Sequence, residues 1–291
     1  MATNITLTNE QLHKWFSFEN PEYRRKLDEY PVLNDSIPFF IGTRGSIAQG
    51  LNTPESDTDL VILLFNPMWL IWPDSGIDTV EDEDHNVLFW SITRFIQLLE
   101  KGDINAVETA HIRKSYCWDD AKWIFMNPEA FITKRFLTSV SGFVFNQMKG
   151  AQKLERVKMN KMVMHALRVA KMTIQMLKET KAAGKVKPLT LNRTGIDADE
   201  LLAIKLQPED KQLSFADMKA KVDAAKAELD ALIQDPDIQR IIPDVMDPAT
   251  RANLRALPMQ LLYETTRFSK KSIAELSQKV CEALPLEKKT K

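Results

Sequence analysis

The sequence predicts an α+β protein in two parts: a mixed α/β unit over residues 1–130 and an all-helical unit over residues 131–291. Three observations carry this. Short β-branched and aromatic runs alternate with helix-period runs through the first 125 residues, the pattern of strands and helices built on one sheet. After Pro128 the apolar period becomes helical almost throughout. The charge changes at the same place. From Lys134 to Arg193 there are 14 Lys and Arg against two acids, Glu155 and Glu179, so this stretch is strongly cationic although the whole chain carries a net charge of -1.

In chain order, residues 6–30 read as a helical lead-in, with Thr8 as its cap and Gln11 as the capping-box partner. Residues 37–41 read as a strand. Residues 46–51 read as a short helix broken by Asn52-Thr53-Pro54. The apolar run Leu60–Phe65 is the central strand. Residues 66–84 read as a loop, with Pro67, Pro73 and Gly76 and a solvated acidic run at its end. Residues 86–92 are aromatic and apolar enough for another strand. An amphipathic helix follows over 93–100, stopped at Lys101-Gly102-Asp103. Residues 104–111 and 116–125 complete the first unit. In the second, the helical pattern breaks at 184–192 and 235–248. Residues 215–233 carry Met218, Val222, Ala225 and Leu229 at core spacing, and the tail at 286–291 reads as frayed.

Composition narrows the setting. A content of 44% hydrophobic and 27% charged residues is that of a soluble globular protein. Residues 1–11 lack the basic-then-apolar order of a signal peptide, and no apolar run reaches membrane-spanning length. Cys117 and Cys281 are isolated and make neither a disulfide framework nor a zinc motif. The expectation is a cytoplasmic protein with no membrane partner.

The chemistry concentrates in residues 41–64, IGTRGSIAQGLNTPESDTDLVILL. Asp57 and Asp59 are two residues apart at the start of a strand, so their side chains share a face. Two carboxylates beside an apolar run are costly unless a cation neutralises them, and Mg²⁺ or Mn²⁺ is the natural candidate. The Gly45-Ser46 turn upstream offers backbone N–H groups and a hydroxyl to a phosphate. An Asp-x-Asp step alone is a common loop feature. Its combination with the Gly-Ser turn points to metal-assisted nucleotidyl transfer from an NTP.

A second cluster, Lys158, Lys161, His165 and Arg168, is spaced three, four and three residues apart, on one face of a helix. An ordinary solvated face is the plain alternative. Facing the acids, the stripe would bind triphosphate or an acceptor backbone. Lys134, Arg135, Lys149, Lys153 and Arg156 could extend a nucleic-acid track, whereas Phe143 and Phe145 are spaced as core residues. His13, His85 and His111 show no ligand spacing and read as structural. Trp69, Trp72, Trp90, Trp118 and Trp123 read as packing.

Gly45-Ser46 followed by Ser56-Asp57-x-Asp59 resembles the signature of the DNA polymerase β-like nucleotidyltransferase superfamily. The wider form, GS-x-A-x-GL-x-TPESD-x-D, resembles its subfamily with RNA-repair-associated and phage-encoded members. The likeness extends through RFIQLLEKGDINAVE (94–108), the K-x-x-x-H-A-L-R helix (161–168) and LLAIK (201–205), about residues 41–205 in all. It implies a polymerase β-like mixed-sheet domain followed by a helical one. It also implies metal ligation by Asp57 and Asp59, and nucleotide contacts from Gly45, Ser46, Lys161, His165 and Arg168; Arg44, beside the turn, either assists the phosphates or points to solvent. The family supplies a third carboxylate, and the position aligned with it is Asn86. An amide coordinates a cation but neither neutralises it nor takes a proton. Asp84, two residues earlier, and Glu108 are the acids that could substitute. Three readings stay open: transfer to a hydroxyl on RNA, transfer to a protein side chain as in AMPylase-like enzymes, and a nucleotide- or nucleic-acid-binding protein weakened at Asn86. The fold alone does not choose among them.

Overall fold

The computed structural model describes residues 36–54, 56, 57, 59–66, 79–81, 87–112, 115–192, 197–207 and 213–267. The expected lead-in at 6–30, the tail at 286–291, and residues His13, Trp69, Trp72, Asp84, His85, Asn86 and Cys281 lie outside the described residues. Five strands form one mixed sheet: β1 (Ile37–Thr43), β2 (Leu60–Phe65), β3 (Thr79–Glu81), β4 (Val87–Ser91) and β5 (Ser115–Cys117). Their spatial order is β3-β4-β2-β1-β5. β2 and β4 run parallel, and the other pairs are antiparallel. All six residues of β2 are buried, which is why its apolar run has no polar alternation. Leu60 pairs with Val87, so the residues that follow Asp59 and Asn86 in the chain stand opposite each other.

Ten α-helices accompany the sheet among the described residues. They are α1 (Gly45–Gln49), α2 (Ile92–Lys101), α3 (Ile104–Ala110), α4 (Lys122–Met126), α5 (Lys134–Ala151), α6 (Arg156–Ala183), α7 (Ala198–Leu206), α8 (Phe215–Gln234), α9 (Pro236–Ile241) and α10 (Pro248–Arg267). None is long and apolar enough to cross a membrane. Ser91 opens α2 by accepting from the Arg94 N–H, and Asp103 opens α3 by accepting from the N–H groups of Asn105 and Ala106. α8 begins on a capping box between Ser214 and Asp217, and Met218, Val222, Ala225 and Leu229 form its buried face as their spacing predicts.

Several expectations need correction. α1 ends at Gly50, which is left-handed with φ 67°, before Asn52-Thr53-Pro54 is reached. β3 falls inside the expected loop 66–84. It has one apolar residue in three and exists through its pairing with β4. α9 falls inside the expected break at 235–248. Asp235 caps it from the side chain, with Pro236 at the first helical position, a combination that starts a helix without needing a long apolar period. Phe145, spaced as core, is 58% exposed. The largest correction concerns α6. Its basic stripe from Lys158 to Arg168 was expected on one open face. Instead, nearly every residue from Val163 to Leu177 is buried, because α5, α7, α8 and α9 all pack against it.

Phe39, Val61, Leu63, Phe65, Leu88 and Trp90 of the sheet and the buried hydrophobic residues of the helices after it form one continuous cluster that reaches Leu261 in α10, while Ile41, Ile62, Leu64 and Phe89 are buried outside it. Gly102 marks a join within it. Its φ is +70°, and a Cβ there would lie 2.5 Å from the Phe136 backbone nitrogen in α5. Gly102→Ala therefore meets both left-handed strain and a backbone clash. It should destabilise the protein by about 2 kcal/mol or more, read as a lower urea midpoint at unchanged m.

Candidate active site

Thr43, the last residue of β1, leads into Arg44 and Gly45, and the chain returns through residues 51–59 to enter β2. The Arg44 N–H donates to the Asp59 carbonyl oxygen at 2.9 Å, which clamps the two ends of the excursion together. Gly45 has φ +64°, and a Cβ on it would lie 1.9 Å from Asp59 Oδ2. The Asp59 carboxylate thus fills the space a side chain at residue 45 would need. The intervening turn is ordered by Ser56, whose hydroxyl accepts from the Thr53 N–H at 2.8 Å and whose own N–H donates to the Thr53 carbonyl at 3.0 Å.

Asp57 and Asp59 differ in surroundings: Asp57 is exposed and Asp59 is half-buried. Burial pushes the Asp59 carboxyl above its ordinary range. Arg44 and Lys161 pull it back, Asp57 raises it further, and Lys205 lowers it. These causes identify the neighbours of the acid pair. Arg44 comes from the β1–α1 turn, Lys161 from α6 and Lys205 from α7. Lys205 also reaches the turn directly, donating to the Leu51 carbonyl at 3.3 Å and more weakly to Ser56 Oγ at 3.5 Å. Burial holds its ammonium below the usual range, helped by Lys161 and opposed by Asp59.

Lys205 has no role in the sequence reading beyond closing the LLAIK segment. Its signal is a single cation ending an otherwise apolar helical run, where a charge needs a reason.

The expected four-residue basic stripe divides along its length. Lys158 and Lys161 are exposed, His165 is half-buried, and Arg168 is 3% exposed. Arg168 Nη2 donates to both carboxylate oxygens of Glu108 in α3, at 2.9 and 3.2 Å. Arg168 is therefore a buried cross-link from α6 to the sheet unit rather than part of an open cationic face, and Glu108 is its counter-charge. Burial, with Arg168, Lys161 and Lys205 adding to it, pushes the His165 imidazole down to about 3, so it is a neutral ring at physiological pH. His111, read as structural, is buried with Nδ1 2.7 Å from the Val107 carbonyl oxygen. Trp90 and Trp118 are buried, as expected. Burial raises the Cys117 thiol to about 12, which keeps it protonated.

Arg44, Asp57, Asp59, Lys161, His165 and Lys205 are thus gathered from three separate parts of the chain into one charged site beside the Gly45-Ser46 turn. Among the described residues, no three His, Cys, Asp or Glu side chains form a metal-ligand group. The positions expected to complete the set, Asp84 and Asn86, lie outside those residues.

Compared with known protein families, residues 24–258 match the RNA repair pathway DNA polymerase beta family. The chain belongs to that family. No curated protein matches it. Membership in the RNA repair pathway DNA polymerase beta family points to a polymerase β-like nucleotidyltransferase associated with RNA repair. The match runs from before β1 into α10, so both the sheet and the helices around α6 belong to the family's pattern.

Two outcomes follow from these charges. Glu108→Ala strands a buried guanidinium and should lower stability by about 3 kcal/mol or more, and adding Arg168→Met should recover part of the loss. Denaturant unfolding of the single and double variants measures both. The second outcome concerns His165. With its folded value near 3 and an ordinary value of 6.5, the unfolded chain binds a proton between those pH values and the native protein does not. His165 therefore adds full stability above about pH 6.5 and loses it as the pH falls towards 3, at a limiting slope of about 1.4 kcal/mol per pH unit. His165→Asn should remove that component, seen in the difference between wild-type and variant stability across this window.

Proposed function

We propose that this protein is a metal-dependent nucleotidyltransferase that moves a nucleoside monophosphate from an NTP to an acceptor hydroxyl on RNA. One observation carries the reading: the Asp59 carboxylate is packed onto Gly45 of the Gly-Ser turn, while Lys161 and Lys205 approach it from two helices. An acid pair, a phosphate-binding turn and converging ammonium groups are what a triphosphate with its metal requires.

Asp57 and Asp59 are hard oxygen donors that suit Mg²⁺ or Mn²⁺, and a desolvated carboxylate beside a second acid gains from a cation between them. Bound there, the metal would supply charge neutralisation for the triphosphate and activation of the attacking hydroxyl. Gly45 and Ser46 present N–H groups and a hydroxyl to phosphate oxygens, with Arg44 beside them. Lys161 and Lys205 offset the charge that gathers on the leaving group. His165, being neutral, donates or accepts a hydrogen bond without adding charge. Arg168 acts at one remove, by holding α6 in place through Glu108.

In the reaction, the acceptor oxygen bonds to the α-phosphorus and the bond to the bridging oxygen breaks. Pyrophosphate leaves with that electron pair, and the hydroxyl proton passes to water. Little covalent work falls to the protein, and positioning with charge stabilisation does most of it.

The test uses NTPs labelled at the α-phosphate, Mg²⁺ and total RNA, and the label should appear on RNA with release of pyrophosphate. Asp57→Asn combined with Asp59→Asn should abolish the transfer, since loss of the metal site removes several kcal/mol of transition-state stabilisation. Labelling by the double variant at the wild-type rate would show that the chemistry lies elsewhere.

A further inference from the structure

Lysines of the helical part of the chain differ in their partners. Lys171, Lys178, Lys181, Lys219, Lys221 and Lys226 each face a carboxylate within ion-pair distance. Lys149, Lys153, Lys158 and Lys161 are exposed and, among the described residues, have no carboxylate at that distance. These four sit together, at the end of α5, in the turn after it and on the first turns of α6. The same hairpin exposes apolar surface: Phe145 at 58%, Leu154 at 40% and Val157 at 80%. The two kinds of residue are paired by helix geometry. Phe145 and Lys149 are four apart on α5, and Val157 and Lys161 are four apart on α6, so each helix shows an apolar group with a free ammonium one turn on. From Arg156 to Lys161 the helix covers about 8 Å, and Lys161 is close enough to Asp59 to lower its pKa.

We propose that the α5–α6 hairpin is the docking surface for the acceptor, a single-stranded RNA whose end is led along Lys149, Lys153, Lys158 and Lys161 to Asp57 and Asp59. This rests on the function proposed above. Four exposed lysines with no carboxylate at ion-pair distance leave a cationic surface that complements a polyanion, and a phosphate backbone meets it with release of its counterions. Exposed Phe145 gives a base a face to stack on, which an acidic protein would not use in the same way. Lys134 belongs to no such track, because it is paired with Asp244.

The test measures anisotropy of a fluorescein-labelled single-stranded RNA of about a dozen nucleotides on the full chain, across a KCl series. Lys149→Gln/Lys153→Gln should raise Kd about tenfold and reduce the slope of log Kd against log salt by about 1.4. Lys149→Arg/Lys153→Arg should bind as wild type. Phe145→Ala should raise Kd about tenfold with the slope unchanged. None of these residues touches the nucleotide site, so Mg²⁺-NTP binding by calorimetry should be unaltered in every variant. That arm separates the two proposals. If wild type binds none of the four NTPs with Mg²⁺, the nucleotidyltransferase reading fails. If it binds one of them but the Gln and Ala variants hold RNA as tightly as wild type, the hairpin surface is wrong. Equal binding of duplex RNA, or label transferred to protein and unaffected by competing RNA, also overturns it.

Discussion

The Glu108–Arg168 ion pair fixes how α6 is seated against the sheet unit. It joins α3 of the sheet unit to the middle of α6, and both partners are shielded from water. A helix anchored at one residue has its rotation set for about two turns on either side, because residues three, four and seven apart share a face. From Arg168 that face runs back through His165 to Lys161. Seating Arg168 on Glu108 therefore turns Lys161 towards the acids, and the neutral His165 spaces the two cations. A pair of this kind contributes little net stability, since its desolvation offsets its attraction. What it supplies is registry between the two parts of the site.

Around that registry the charges are graded. Asp57 is in water, Asp59 is half-buried against Gly45, Lys205 is half-buried over the 51–56 turn, and Arg168 is enclosed. The effective dielectric falls along the same series, so each step inward strengthens electrostatic interactions.

Much of this was legible in the sequence where the information is local. β2 matches its run of six apolar residues, α2 matches the amphipathic run over 93–100 to within a residue at each end, and the Gly-Ser turn and both acids lie within fifteen residues of one another. What was not legible depends on partners far along the chain. Nothing near Arg168 says that Glu108, sixty residues earlier, will bury with it, and nothing near Lys205 says that the Leu51 carbonyl will accept its hydrogen bond. α6 misled for a related reason. Its two-sided burial comes from the number of helices surrounding it, which its own periodicity does not encode. β3 is the opposite case, a three-residue strand too short for any pattern and defined by the neighbour it pairs with.

The complete burial of β2 has a bearing on how the molecule moves. Strands at the centre of a sheet open only when the whole domain opens, whereas exposed hairpin ends and short turns fluctuate with little free-energy change. Asp59 leads directly into that central strand. The α5–α6 hairpin ends in solvent. One end of the charged site is therefore tied to a fully buried central strand and the other to a solvent-exposed hairpin, a stiff floor under a more compliant rim.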